Sequence, residues 1–234
     1  MKRLVCFSLW GDLPKYTIGA IKNAELVKKV YPGWIARFYC GGSVPADVID
    51  QIRSTGSEVV LMDEEGSWSG MFWRFLAIGD EDVEMMLSRD TDSRVDEREA
   101  SAVAAWMKSR KLFHIMRDHP WHDVKIMGGM WGVRKPLLTN IRELIGGYAK
   151  VERYQVDQDF LRDTIWPIVK SKSLIHDSFG HGRSFPTPRR ELDFVGQVWD
   201  ENDNVVEEHR MVISRALSER SRNWWQIKNW KRKL

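Results

Sequence analysis

Apolar and polar positions change period repeatedly along this chain. Short apolar runs of strand length alternate with stretches whose apolar residues recur every three or four positions. Arg3 to Leu9 reads as the first strand. Pro14 suits the first turn of a helix carrying Ile18, Ile21, Ala24, Val27 and Val30 near one face, which stops at Pro32-Gly33. Trp34 to Cys40 is the second strand, Pro45 opens a second helix with Gly56 beyond its end, and Glu58 to Met62 is the third strand. Gly70 to Ile78 reads as a largely buried helix. Val83 to Ser88 forms a fourth strand leading to Asp90. Asp96-Glu97-Arg98-Glu99 resembles a capping box and starts a helix running to about Ser109.

Leu112 to Met116 and Lys125 to Val133 read as further strands. The second contains Gly128-Gly129, and glycine inside a strand suggests a bulge or a close approach of backbone or ligand. Asp157 to Val169 is helical despite Pro167, Leu174-Ile175 is a short strand, and Gly180 to Pro188 is a loop. Alternating β and α elements predict a mainly parallel sheet with helices on both faces.

At 234 residues the chain can bury a substantial core. No apolar run has the length of a membrane span. The N-terminal segment lacks a cleavage-site pattern and reads as strand, so a cytoplasmic location is expected. Cys6 and Cys40 both fall in strands and lack metal-ligand spacing, so buried thiols rather than a disulfide are expected. The net charge of +3 divides unevenly. Residues 211–234 hold seven Lys/Arg against one Glu, or +6, which leaves the body with 29 basic and 32 acidic residues, or −3. The body is therefore not a nucleic-acid binder by charge. The organisation expected is a domain over 1–210 and a basic, aromatic C-terminal helix over 211–234. Trp224, Trp225, Ile227 and Trp230, set among Arg220, Arg222, Lys228, Lys231, Arg232 and Lys233, suit either contact with an anionic membrane surface or packing on the domain.

The fourth strand ends in Asp90-Thr91-Asp92. Ligands in open α/β sheets bind at strand C-terminal ends. Two carboxylates at such an end repel each other unless a cation lies between them. Oxygen ligands select Mg²⁺ or Mn²⁺, commonly held by one or two carboxylates plus substrate phosphates. The pair thus points to a metal–diphosphate, although Asp-Thr-Asp-Ser is also good turn chemistry. Two rival acidic pairs carry less. Asp80/Asp82 precedes the strand, and Asp200/Asp203 sits in a hairpin turn between Phe194–Trp199 and Val205-Val206.

An N-terminal strand, three βα units and then Asp-x-Asp near residue 90 resembles a GT-A glycosyltransferase. Phe72-Trp73-Arg74-Phe75-Leu76 is similar to the Arg-bearing helix before the Asp-x-Asp strand of that fold. Met127-Gly128-Gly129-Met130-Trp131-Gly132-Val133 resembles the Gly-containing strand under its acceptor site. Asp157-Gln158-Asp159-Phe160-Leu161 is similar to the Asp-Gln-Asp-x-Leu motif of the glycogenin-like and lipooligosaccharide galactosyltransferase families, and to capsular-polysaccharide relatives. The resemblance covers roughly residues 3 to 180. It departs at the end, where those families carry His-x-x-Gly-x-x-Lys-Pro-Trp. Here His176 and His181 compete for the histidine position and Arg183 stands where Lys is expected.

The resemblance implies a metal-dependent enzyme of polysaccharide biosynthesis. It would transfer a hexose from a nucleotide sugar, UDP-sugar by default, to a glycan hydroxyl with retention. Asp90 and Asp92 would hold Mn²⁺ or Mg²⁺ with His176 as third ligand, and Asp90 would also face the donor. Arg74 would reach the donor phosphate or sugar, because guanidinium matches phosphate in a fork geometry, with a buried arginine paired to a strand-end aspartate as the equally plain explanation; Arg183 would also contact the donor. Asp157, Gln158 and Asp159 are the catalytic candidates, with a helix N-terminus as the plainer explanation of the acids. Phe7, Ser8 and Trp10 would border the nucleoside base and Asp63 its ribose or base, though core packing explains Phe7 equally well. His114, His119 and His122 invite a zinc reading, but Pro120 and the absence of a Cys or Glu ligand set favour a loop along the acceptor. His119, Trp121 and Trp131 are the acceptor candidates. The first alternative is a sugar-phosphate nucleotidyltransferase, which needs a Gly-rich, Arg-containing loop where this chain has Trp10-Gly11-Asp12-Leu13-Pro14. The second is a carbohydrate-binding protein on a decayed transferase.

Overall fold

The computed structural model describes residues 1–148 and 153–231, with side chains in the last helix described as far as Glu219. Seven strands form one sheet: β1 (Lys2–Leu9), β2 (Ile35–Cys40), β3 (Glu58–Leu61), β4 (Val83–Ser88), β5 (Phe113–Arg117), β6 (Trp131–Arg134) and β7 (Ser173–Asp177). Their order is β3-β2-β1-β4-β6-β5-β7. Every pairing is parallel except those of β6, which runs antiparallel to both β4 and β5. The expected mixed, mainly parallel α/β sheet is therefore observed.

Alternation along the strands builds two cores. Val5, Phe7 and Leu9 of β1 pack with Phe38, Leu87 and the helices α1 (Pro14–Val30), α2 (Ala46–Ser54) and α3 (Glu97–Met107). Leu4 and Cys6 face the other way, toward a segment at Trp68–Gly79 and the helices α4 (Ile141–Gly146), α5 (Val156–Phe160) and α6 (Trp166–Val169). Both faces are covered, which is why the strands read as near-continuous apolar runs. Both cysteines are buried and unpaired.

Three elements differ from the sequence reading. The helix expected at Gly70–Ile78 is a 3₁₀ run over Trp68–Gly79. At three residues per turn, Phe72, Phe75 and Ile78 fall in one stripe, and each is buried. The strand expected from Lys125 to Val133 is paired only over Trp131–Arg134, and Gly128-Gly129 lies in a turn before it. The helix expected over Asp157–Val169 is a continuous helical run whose turns widen to a π turn at Leu161–Ile165 just before Pro167, the residue that removes an i→i−4 bond.

The final helix, α7 (Glu207–Lys231), starts inside the body of the domain and buries Ile213 completely. The Trp and basic side chains expected to contact membrane lie outside the described residues. Among the described residues no helix is long and apolar enough to cross a membrane.

Candidate functional site

β4 delivers Asp90 and Asp92 to the C-terminal edge of the sheet, and α1 fixes the loop that carries them. Asn23, fully buried on α1, donates to the carbonyls of Thr91 (3.4 Å) and Ser93 (2.7 Å) and accepts from the Val95 N–H (3.1 Å). A Cβ at Gly19 would collide with the Thr91 carbonyl, so glycine lets α1 approach the loop. From the other side the Trp199 N–H donates to the Asp92 carbonyl at 2.9 Å.

Arg74 is the centre of the site. It is buried at 5% exposure on the 3₁₀ segment, and its backbone N–H donates to Ser8 Oγ at 3.0 Å. One guanidinium nitrogen bonds Asp90 Oδ1 and the other bonds Asp157 Oδ2 at 2.9 Å. Segments 83 residues apart in sequence thus meet on one side chain. Burial lowers the arginine's proton affinity, but Asp90 and Asp157 outweigh it and leave the group more firmly charged. Asp157, 2% exposed, is held above its ordinary range by burial, against the pull of Arg74. Gly128 lies over this pair. A Cβ there would stand 2.7 Å from Arg74 Nη2 and inside contact with Asp157 Oδ2. A Cβ on Gly129 would collide with the Asp90 carboxylate. The glycine pair is thus a close-approach device, not a bulge in a strand.

Asp92 pairs with Lys15 Nζ at 2.9 Å. Its carboxyl is pushed up, first by burial and then by Asp90, so two carboxylates stand close with their charge incompletely offset. Asp90 keeps 43% of its side chain exposed. This donor set fits a hard divalent cation carried in on a diphosphate, which needs only one or two protein carboxylates. It does not include His176. That histidine is buried on edge strand β7 with Nδ1 2.8 Å from His114 Nε2, and it is three strand steps from β4, about 14 Å at normal spacing. Among the described residues no group of three or more His, Cys, Asp or Glu is gathered as for a metal, and His114 Nε2 meets His176 while His119 and His122 each spend Nδ1 accepting a backbone N–H.

These residues floor a cavity of about 710 Å³, within the size range of small-molecule sites. Ser8, Arg74, Asp90, Gly128 and Asp157 line its base. Trp10, Tyr16, Trp68, Tyr154 and Gln158 form one wall, and His119, Trp121, His122, Phe194 and His209 form the other. Of the residues expected from sequence, Ser8, Trp10, Arg74, Asp90, Asp92, His119, Trp121, Asp157 and Gln158 are brought together here.

The others are placed elsewhere. Phe7 points to the opposite face of the sheet from Ser8 and stacks on Phe38, with centroids 4.7 Å apart. Trp131 is fully buried between Phe113 (5.2 Å) and Phe75 (5.1 Å). Asp159 turns outward to Arg153 and Arg162. Asp63 is exposed beyond edge strand β3 and does not line the cavity. Arg183 bridges to His176 on the far edge and likewise does not line it. The rival acids have structural partners. Asp80 takes Arg37 and Arg142, Asp82 takes Lys2, and Asp203 takes Arg94 and Lys22.

Sequence reasoning missed Lys15, Tyr16, Trp68 and Tyr154. A signal existed for the first two. A helix that follows a parallel strand begins at the strand's C-terminal edge, so the first turn of α1 has to face the ligand side.

The buried histidines predict the acid response of the fold. Burial pushes His122 down to about 3 and His176 to about 4, and holds His114 well below its ordinary value. Below pH 6.5 each must take up a proton on unfolding, so the unfolded chain binds more protons and stability decreases as the pH is lowered, by up to about 1.4 kcal/mol per pH unit per group. Asp96, raised to about 7 by burial and Glu99, acts in the opposite sense, as do the raised carboxyls of Asp92 and Asp157, while His119 and His209, also lowered by burial, act with the first three, so five histidines stand against three aspartates. Urea midpoints should therefore drop between pH 7 and pH 5. A rise would contradict the assignment.

No protein-family model and no curated protein sequence matches the chain. Solved structures do. A glycosyltransferase involved in glycosylation of the major capsid of PBCV-1 is 18% identical over 76% of this chain and 82% of its own, with a TM-score of 0.47. Glucosyl-3-phosphoglycerate synthase from Mycobacterium tuberculosis in complex with UDP is 13% identical over 78% and 73%, with a TM-score of 0.49. A 4-diphosphocytidyl-2C-methyl-D-erythritol synthase from Anaerococcus prevotii is 13% identical over 75% and 88%, with a TM-score of 0.47. At these identities and scores the likeness concerns the sheet plan and assigns no chemistry to the cavity.

Proposed function

We propose that the cavity binds a nucleoside-diphosphate sugar as its Mn²⁺ or Mg²⁺ complex and transfers the hexosyl group to a glycan hydroxyl. UDP-sugar is the default donor, and the Asp157-Gln158-Asp159 resemblance favours retention of configuration. The observation that carries this reading is Arg74, a buried guanidinium bonded to both Asp90 and Asp157 at the base of a cavity at the strand ends. Buried charge of this kind is costly unless its partners are well placed, and such clusters concentrate at functional sites.

The chain's own groups divide the work. Asp90 and Asp92 would hold the cation, and the cation, when bound, would stabilise charge on the departing diphosphate. Arg74 keeps Asp90 oriented and adds positive charge at the base of the cavity. Asp157 and Gln158 face the space in which the sugar would lie. Transfer breaks the bond between the anomeric carbon and the phosphate oxygen, whose electron pair leaves with the nucleoside diphosphate. A bond to the acceptor oxygen forms and the acceptor proton is released.

Incubation with UDP-glucose, UDP-galactose and GDP-mannose in Mn²⁺ tests the reading through release of nucleoside diphosphate. One donor should be turned over, Asp92→Asn should lower the rate by at least about tenfold, and proton NMR of the product should show the donor's anomeric configuration. Inversion would overturn the retaining assignment. Equal turnover by Asp92→Asn would overturn the metal site.

A further inference from the structure

The turn that follows β5 has a hydrogen-bond pattern that fixes two imidazoles in different roles. Asp118, fully buried, is held by Arg98, Arg189 and the Val195 N–H (3.0 Å). Its own N–H donates to His122 Nδ1 at 3.1 Å. The Trp121 N–H donates to His119 Nδ1 at 3.0 Å, and His119 Nε2 meets the His209 carbonyl at 3.0 Å. In a neutral imidazole the nitrogen opposite an accepting one carries the proton. His119 therefore uses both nitrogens internally and ties the turn to α7. His122 differs. Its Nε2–H has no partner among the described residues, and the side chain lines the cavity. Burial keeps this ring neutral.

Trp121 stands beside it at the rim, 49% exposed, which is unusual for so large an apolar ring. It is not loose. The ring packs edge-on against His119 at 5.3 Å and His209 at 5.2 Å. Such a rigid, exposed aromatic beside a fixed polar donor is the anatomy of a small-ligand site. The charges select the ligand. Among the described residues the charged groups lining the cavity are Asp90, Asp92, Asp157 and Arg74, so carboxylates outnumber cations, and the cations that act on the histidine wall, Lys15 and Arg189, are already paired with Asp92 and Asp118. A phosphate or carboxylate on the ligand would meet no unpaired cation there among the described residues.

We propose that Trp121 and His122 form the acceptor subsite and that it takes a neutral pyranose, with the sugar's apolar face on the indole and a hydroxyl accepting from His122 Nε2–H. The proposal rests on the reading of this cavity as a glycosyl-transfer site and narrows its acceptor to uncharged glycans.

Saturation-transfer NMR tests it with lactose, maltose and cellobiose as neutral probes and glucose 6-phosphate and glucuronate as anionic ones, in Mn²⁺ and UDP. At least one neutral disaccharide should receive saturation and the anions should not. Trp121→Ala, a rim change that leaves the core intact, should weaken that binding about tenfold. His122→Phe, which removes the Nε2–H donor together with the acceptor of the Asp118 N–H, should weaken it about fivefold. No signal from any neutral probe, equal signal from the anions, or unchanged binding in Trp121→Ala would overturn the proposal. Titration of UDP into the unaltered protein reads the donor side separately. Sugar binding without nucleotide binding would sink the transferase reading and leave a neutral-sugar site.

Discussion

Arg74→Met is expected to unfold the protein at a markedly lower urea concentration, with a loss of about 3–5 kcal/mol, and to abolish nucleotide binding. The magnitude follows from what the substitution leaves behind. Asp157 is 2% exposed and takes its charge-assisted hydrogen bond from Arg74 at 2.9 Å. Without that partner it is a buried carboxylate left with only the backbone hydrogen bond at Gln158 to offset its charge. Asp90, which is partly exposed, can turn to water and adds little to the stability term. The double variant Arg74→Met/Asp157→Leu separates the two effects. Removing both charges should restore most of the lost stability, because a buried pair replaced by apolar groups is often neutral. It should not restore binding. Recovery of binding in the double variant would show that the cluster is only structural.

Gly129→Ala is expected to act on the site with a smaller effect on the fold. The added methyl would occupy the space of the Asp90 carboxylate and press on that residue's backbone nitrogen at 2.9 Å. A displaced Asp90 loses both Arg74 and its aim into the cavity. Overpacking of this kind costs about 1–3 kcal/mol. The metal-dependent part of nucleotide affinity should fall by at least about tenfold. Gly128→Ala should do the reverse in proportion, since its methyl meets Arg74 and the buried Asp157. Paired measurements of urea midpoint and nucleotide Kd on the two variants test this order. Similar losses of Kd with unchanged midpoints in both would contradict the packing account.

The sheet was legible because period and punctuation agree. Pro14, Pro32-Gly33 and Pro45 mark helix limits that the structure reproduces, and Asp96 caps α3 by accepting from the Glu99 N–H at 2.7 Å. What the sequence lacks is strand order and facing. Phe7 and Ser8 are neighbours at the end of β1, and only one of them can face the ligand. The alternation is evident, but its phase depends on which helices pack on which face. His176 and Asp63 end strands β7 and β3, and sequence alone gives no hint that these are opposite edges, each three steps from β4. Trp131 resembled a sugar platform because aromatic residues near a Gly-Gly turn suit both a rim and a core. The π-stack on Phe113 decides for the core. Arg74, Asp90 and Asp157 were each legible as candidates. A buried Arg74 paired with a strand-end aspartate was legible too, but the arrival of Asp157 on the same guanidinium was not, because it is made by the fold.

The most direct test of the central claim is calorimetric titration of UDP, GDP and dTDP into the protein, in Mn²⁺ and in EDTA, with Asp90→Asn as control. Tight binding of one nucleotide, present in Mn²⁺ and lost in EDTA and in Asp90→Asn, is the predicted result. Failure of all three nucleotides to bind in Mn²⁺, or binding that neither EDTA nor the substitution weakens, would contradict it.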